Sequence, residues 1–206
     1  MTWYTTNTHK LCFSLTKEAF DIDRGLWLES PSRELYPAAT SYSREAFSLQ
    51  WYAFLGRIMG KALYEGILVD VPFAPFFLSK WLGRASGFDD LASYDPELYQ
   101  GLVQLKNYTG DVEKDLSLNF TVTDDDFGVS RTIELVPNGS NVPVTNENRI
   151  SYIYRASDYR LNKQIDKQCS AFFSGLSDLI DPKWLRMFNQ IELALLVGGA
   201  ETRCVA

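Results

Sequence analysis

Apolar side chains return at helical spacing between Phe47 and Glu65, where Leu55, Ile58, Met59, Ala62 and Leu63 make one stripe, so the stretch predicts an amphipathic helix. Gly66 stands where a left-handed residue would stop it. From Phe73 to Leu82 the chain is apolar on nearly all sides, the pattern of a buried helix, and Pro75 is tolerable in its first turn. Small and polar residues from Ala85 to Asp90 mark a boundary. Asp95-Pro96 then starts a helix reaching Asn107, with Leu98, Leu102 and Leu105 on its stripe.

The period changes after that. Leu116, Leu118, Phe120 and Val122 alternate with Ser117, Asn119, Thr121 and Thr123, which predicts a half-buried strand. Asp124 to Gly128 reads as a turn, Val129, Ile133 and Leu135 as a partner strand, and Asn138-Gly139 as a second hairpin signal before Val142 and Val144. Helical spacing resumes with Thr145 as N-cap of a long helix to Ser174, its stripe Leu161, Ile165, Cys169 and Phe172, ended by Gly175. Asp181-Pro182 opens another helix, and Asn189 with Glu192 resembles a capping box for the last, closed by Gly198-Gly199. The expected class is α+β, mainly α-helical, with a small β-hairpin subdomain inserted between helices.

Composition narrows the functions. A chain of 206 residues, 46% hydrophobic and 22% charged, can bury a substantial core. The net charge of −6 and the lack of a basic stripe argue against nucleic-acid binding. The longest apolar run, Val71 to Leu78, is far short of the roughly 18 residues of a membrane span. Gly56 and Gly60 form a GxxxG pattern, but Arg57, Lys61 and Glu65 beside it point to close packing in water. The N-terminus MTWYTTNTHK shows no signal-peptide pattern, and three scattered cysteines, Cys12, Cys169 and Cys204, fit a reducing compartment. A cytoplasmic protein is expected, with the nucleus as the other compartment, and the sequons at Asn107, Asn119 and Asn138 read as chance.

Enzyme motifs are scarce. The single histidine, His9, argues against a histidine-rich metal site and against a nucleophile paired with histidine. No GxSxG, P-loop or GxGxxG occurs. Asp124, Asp126 and Gly128 look faintly like a calcium loop, but Leu135 stands where the bidentate glutamate belongs, so an acidic turn is the better reading. No cofactor and no catalytic residue are expected.

Two blocks carry a resemblance. FLGRIMGKALYEGILVDVPFAPFFLSKWL (Phe54–Leu82) and NENRISYIYRASDYRLNKQIDKQCSAFFSGL with the later WLRMFNQIEL and GGA are similar to the N-terminal lobe of HECT-type ubiquitin ligases. The match covers Thr16 to Glu201. It implies a tail over residues 1–15, a large subdomain in two parts, 16–84 and 159–201, a small subdomain over 85–158, and a non-matching tail over 202–206. In the family a smaller C-terminal lobe carries a catalytic cysteine that follows a threonine, and no cysteine here does. The resemblance therefore implies a ubiquitin-transferase fragment that recruits the ubiquitin-charged conjugating enzyme without accepting ubiquitin. The alternative is a non-catalytic module that competes for conjugating enzymes. The VDVPF and RISYI wording points weakly to the branch associated with chain extension at the proteasome.

The resemblance also implies where the conjugating enzyme docks, in a hydrophobic groove of the small subdomain. Carried over residue by residue, it assigns Leu98, Leu102 and Leu105 to one wall and Tyr108 to the end of that helix. Asp115, Leu116 and Leu118 come from the start of the strand, and Tyr152 and Ala156 from the long helix. Lys114 stands where an acidic residue can occur, and Ala156 where a larger side chain can sit. The other reading puts Leu98, Leu102, Leu116 and Leu118 in the subdomain's own core, and for Leu98, Leu102 and Leu118 the two readings weigh alike. Tyr152 is expected to face the partner, so that its truncation weakens binding and spares the fold. Arg57, Lys61, Arg155 and Arg160 are expected to be solvated or ion-paired.

Overall fold

The computed structural model describes residues 18–126 and 128–198, so His9, Cys12, Phe127, Cys204 and the two end segments lie outside the described residues. In chain order, the first elements are β1 (Trp27–Glu29), β2 (Leu35–Pro37), α1 (Ala46–Glu65), α2 (Pro75–Trp81), α3 (Leu91–Tyr94), α4 (Pro96–Asn107) and α5 (Val112–Leu116). There follow β3 (Thr121–Asp126), β4 (Val129–Glu134), α6 (Arg149–Asp158), a π-helical turn over Tyr159–Lys163, α7 (Asp166–Ser177), α8 (Pro182–Leu185) and α9 (Gln190–Gly198). The mainly helical α+β class is the one expected. Contacts divide the chain into two compact units, one formed from Met1–Ala85 with Ile165–Ala206 and the other from Ser86–Gln164.

In the first unit, α1 ends at Gly66, whose φ of 67° lets its N–H return to the carbonyls of Ala62 and Leu63. Its small residues meet α7. A Cβ added at Gly56 would lie 2.0 Å from the Phe172 carbonyl oxygen, and one added at Gly175 would lie 1.8 Å from that of Ala53. Gly175 therefore does not end α7, as its position suggested. The helix runs on to Ser177, and the glycine is there to let two backbones touch. Around the crossing, Trp27, Phe73, Phe77, Trp81 and Phe172 form an aromatic core, with ring centroids 5.2 Å apart for Trp81–Phe172 and 5.5 Å for Phe77–Phe172. Gln168, fully buried on α7, donates to the Ala38 carbonyl and to Ser43 Oγ, both at 2.9 Å, and so fixes the loop after β2. The Asn189–Glu192 capping box forms, with reciprocal bonds of 2.8 and 2.9 Å. Among the described residues no helix is long and apolar enough to cross a membrane.

The second unit departs from the expected elements in several places. Leu116 closes a short helix, α5, because the Asp111 carboxylate caps the Lys114 N–H at 3.3 Å. Ser117, at φ 50°, then turns the chain out of that helix. The strand begins only at Thr121 and takes in Asp124, Asp125 and Asp126, which sequence reading assigned to a turn; Thr121 pairs with Glu134 and Asp126 with Val129. Asp124 can occupy a buried strand position because Gln164 Nε2 and the Tyr159 hydroxyl donate to its carboxylate at 2.7 and 3.2 Å. No group of three metal-binding side chains occurs among the described residues.

The expected second hairpin is a 3₁₀ turn, Gly139–Asn141, after which Val142 to Val144 run beside Leu118 to Phe120 through a single bridge, Asn119 with Pro143. The long helix expected from Thr145 starts at Arg149, because Thr145 and Asn148 exchange side-chain bonds of 2.7 and 3.4 Å around a closed turn. It is then interrupted by the π turn, where the Gln164 N–H reaches back to the Tyr159 carbonyl at 2.9 Å.

Candidate functional site

A groove of about 540 Å³ opens in the unit Ser86–Gln164. Its first wall is the start of α4, where Asp95 Oδ1 accepts the Leu98 N–H at 3.1 Å and so sets the turn that presents Leu98. Ser117 turns the chain after α5, and the bond from Val144 N–H to the Leu118 carbonyl, 2.7 Å, fixes Leu118 in the second wall. The strand β3 adds Thr121, Val122 and Thr123. Tyr152 and Ala156 lie four residues apart on one face of α6, and the π turn continues that face with Tyr159 and Arg160.

Tyr152 lines the groove, yet it is only 9% exposed. Its ring stands edge-on to Phe120 at 5.6 Å, its hydroxyl donates to the Thr121 carbonyl at 3.3 Å, and burial holds its phenol above the ordinary range. It is therefore core as well as groove floor, which corrects the expectation that it stands free toward a partner. Ala156 is buried beside it, and its small side chain leaves space in the floor.

Of the nine residues assigned from resemblance, Leu98, Leu118, Tyr152 and Ala156 come together in this groove. Leu102 and Leu105, 4% and 5% exposed, point into the unit's core and do not line it. Tyr108, Asp115 and Leu116 lie outside it as well. The Tyr108 hydroxyl donates to Asp115 Oδ2 at 3.0 Å, a bond that favours the neutral phenol and raises its pKa, while Leu116 is 38% exposed at the end of α5. Sequence reading missed Thr121, Thr123, Tyr159 and Arg160. Counting seven and eight residues on from Tyr152 would have found the last two. The threonines were hidden because the alternating pattern put them on the solvent face of a strand.

A groove with apolar walls at Leu98, Leu118 and Val122, and with Asp95, Glu97 and Arg160 also lining it, is suited to an inserted apolar side chain flanked by polar contacts. Nothing lining it is an activated nucleophile. The described cysteine, Cys169, belongs to the other unit, where burial pushes its thiol up to about 12. In the folded protein at pH 8, peptide mapping after iodoacetamide treatment is expected to find Cys169 unmodified, with labelling appearing only in denaturant; fast labelling of native Cys169 would contradict its burial.

The chain belongs to the HECT-domain (ubiquitin-transferase) family, whose model matches residues 13–205. It is 52% identical over 192 residues to a Schizosaccharomyces pombe protein named "Probable E3 ubiquitin protein ligase", covering 93% of this chain and 19% of that protein. It is 44% identical over 191 residues to human ubiquitin-protein ligase E3B, covering 90% and 18% of the two chains. Over 197 residues it is 41% identical to the Saccharomyces cerevisiae E3 ubiquitin-protein ligase HUL5, covering 93% and 21%. The chain thus spans about a fifth of the length of these relatives.

Proposed function

We propose that this chain is the lobe of a HECT-type ubiquitin ligase that docks the ubiquitin-charged conjugating enzyme, and that it positions that enzyme for ubiquitin transfer without itself forming a thioester. The observation that carries the reading is the convergence of Leu98, Leu118, Tyr152 and Ala156 on one groove, from three separate stretches of chain. An apolar side chain on a loop of the conjugating enzyme enters between Leu98 and Leu118 and rests over Ala156. The buried thiol of Cys169 supports a role in recruitment rather than acyl transfer, because a nucleophile needs an accessible thiolate. The reading includes a cytoplasmic or nuclear setting, with ubiquitin delivered on the conjugating enzyme and the proteasome as a further partner of the longer protein.

Affinity is expected to be micromolar or weaker, since a partner that leaves after each transfer is held by a small transient interface. The test is calorimetric titration of the purified chain with a panel of conjugating enzymes. Thr123→Arg places a bulky charge in the groove from an exposed position on β3, so the fold survives while the cavity fills. It is expected to weaken binding by at least roughly tenfold, the equivalent of about 1.4 kcal/mol. Undiminished binding by a folded Thr123→Arg chain would sink the assignment of this groove.

A further inference from the structure

We infer that Arg160 is a positioning residue of the groove: its guanidinium holds the Leu98 wall at the spacing that admits the partner's side chain. The inference rests on the reading of the groove as the conjugating-enzyme site. Arg160 lies in the π turn Tyr159–Lys163, a wider turn than an α-helix makes and one often retained where side chains must be re-aimed. From there its Nε lies 3.5 Å from Asp95 Oδ2, and its terminal nitrogen Nη1 lies 4.0 Å from Asp124 Oδ1 and donates to Gln164 Oε1 at 3.4 Å.

The contacts end on different elements: Asp95 lines the groove beside Leu98, Asp124 lies on β3, and Gln164 follows the π turn. Asp95 uses its other oxygen, Oδ1, to cap the Leu98 N–H at 3.1 Å, so the guanidinium acts on the wall residue through one carboxylate. Asp124 belongs to β3, and its carboxylate also accepts from Gln164 Nε2 at 2.7 Å and from the Tyr159 hydroxyl at 3.2 Å. One side chain therefore ties α4, β3 and the π turn together at the edge of the cavity.

The setting makes the tie effective. Arg160 is 32% exposed at its side chain, Asp95 26% and Asp124 8%, so the charges are shielded from water and salt more than a surface pair would be. Removing the guanidinium takes away the cation that Asp95 and Asp124 share, so the carboxylate that caps the first turn of α4 loses its charged partner. Lysine cannot substitute fully, because an ammonium is a point charge and does not reach two carboxylates as a planar fork does. Arg160 is also the only cationic side chain among the described residues that line the groove, so its loss leaves the carboxylates of Asp95 and Glu97 as the charges a partner loop meets.

The experiment is a double-mutant cycle read in binding, using whichever conjugating enzyme of the panel binds the purified chain best. Arg160→Met is expected to weaken affinity roughly tenfold, and Asp95→Asn, which deletes the charge but keeps a helix cap, by a similar factor. The double variant is expected to bind no more weakly than Arg160→Met alone, Arg160→Lys to fall between Met and wild type, and the affinity cost of Leu98→Ala to shrink in the Arg160→Met background. A merely structural arginine would lower the unfolding midpoint and leave the binding effects multiplicative. Wild-type affinity in Arg160→Met, or independent effects of the two substitutions, overturns the inference while the groove reading stands if Thr123→Arg still weakens binding. Unchanged affinity in Thr123→Arg overturns the groove reading, and the inference with it.

Discussion

Gly175→Ala is expected to destabilise the protein by about 3 kcal/mol or more, enough to remove a large part of the stability of a domain this size. The new methyl carbon would start 1.8 Å from the Ala53 carbonyl oxygen, and the Ala53 carbonyl carbon would be 2.7 Å away. These neighbours are backbone atoms of α1, so no side chain can turn aside, and the two helices must separate along their whole contact. Separation would unpack Phe172, which meets Trp81 at 5.2 Å and Phe77 at 5.5 Å. Gly56→Ala repeats the experiment from the other helix, with the Phe172 carbonyl oxygen 2.0 Å from the added carbon. Gly66→Ala is the control. It has open space around it and a φ of 67°, so its expected cost is about 1 kcal/mol, from the left-handed backbone alone. Urea unfolding midpoints measure all three. A Gly175→Ala chain that unfolds at the wild-type midpoint would mean the helices are further apart than described.

Tyr152→Ala is expected to cost about 3 kcal/mol of stability as well as binding, by the loss of a buried aromatic side chain. Its ring closes the space between α6 and Phe120, and its hydroxyl satisfies the Thr121 carbonyl at the first residue of β3. Tyr152→Phe separates the two contributions. The ring stays, one hydrogen bond is lost, and the expected cost is about 1 kcal/mol. Denaturant midpoints of the two variants, with calorimetric affinities at a temperature where both are folded, decide the matter. A Tyr152→Ala chain that melts with wild type and fails to bind would restore the free-standing residue that sequence reading expected.

Legibility varied with how local the cause was. The aromatic of α6 and the leucine of α4 were found because a resemblance named them, and helical spacing carried the stripe of α1 and the buried Cys169–Phe172 face of α7. The start of β3 was missed because alternation over Leu116 to Val122 is a valid strand pattern in isolation. What overruled it was an aspartate cap at Lys114 and a left-handed Ser117, both short-range features, followed by bridging to Val142 and Val144 more than twenty positions away. Asp124 was assigned to a turn because an aspartate in the buried face of a strand is costly without donors. Its donors, Tyr159 and Gln164, lie 35 and 40 residues further along.

Gly175 shows the same division inside one residue. Sequence reading took its conformational freedom as the means of ending a helix, as at Gly66, where the positive φ is observed. At Gly175 the missing side chain matters instead, and only the position of Ala53 makes that so. By itself, the sequence determined the family, the helical α+β class, the cap and stop residues at Gly66, Asp95, Asp181 and Asn189, and the stripes that face the cores. These follow from backbone preferences and from the period of apolar residues, which a chain carries along its length. Only the tertiary structure decided which of the nine assigned residues share a cavity, that Leu102 and Leu105 are spent on the core, and that Arg160 joins Asp95 to Asp124. Those outcomes depend on distances between segments far apart in the chain, set by how buried charges find their partners and how closely two glycine-bearing helices can approach.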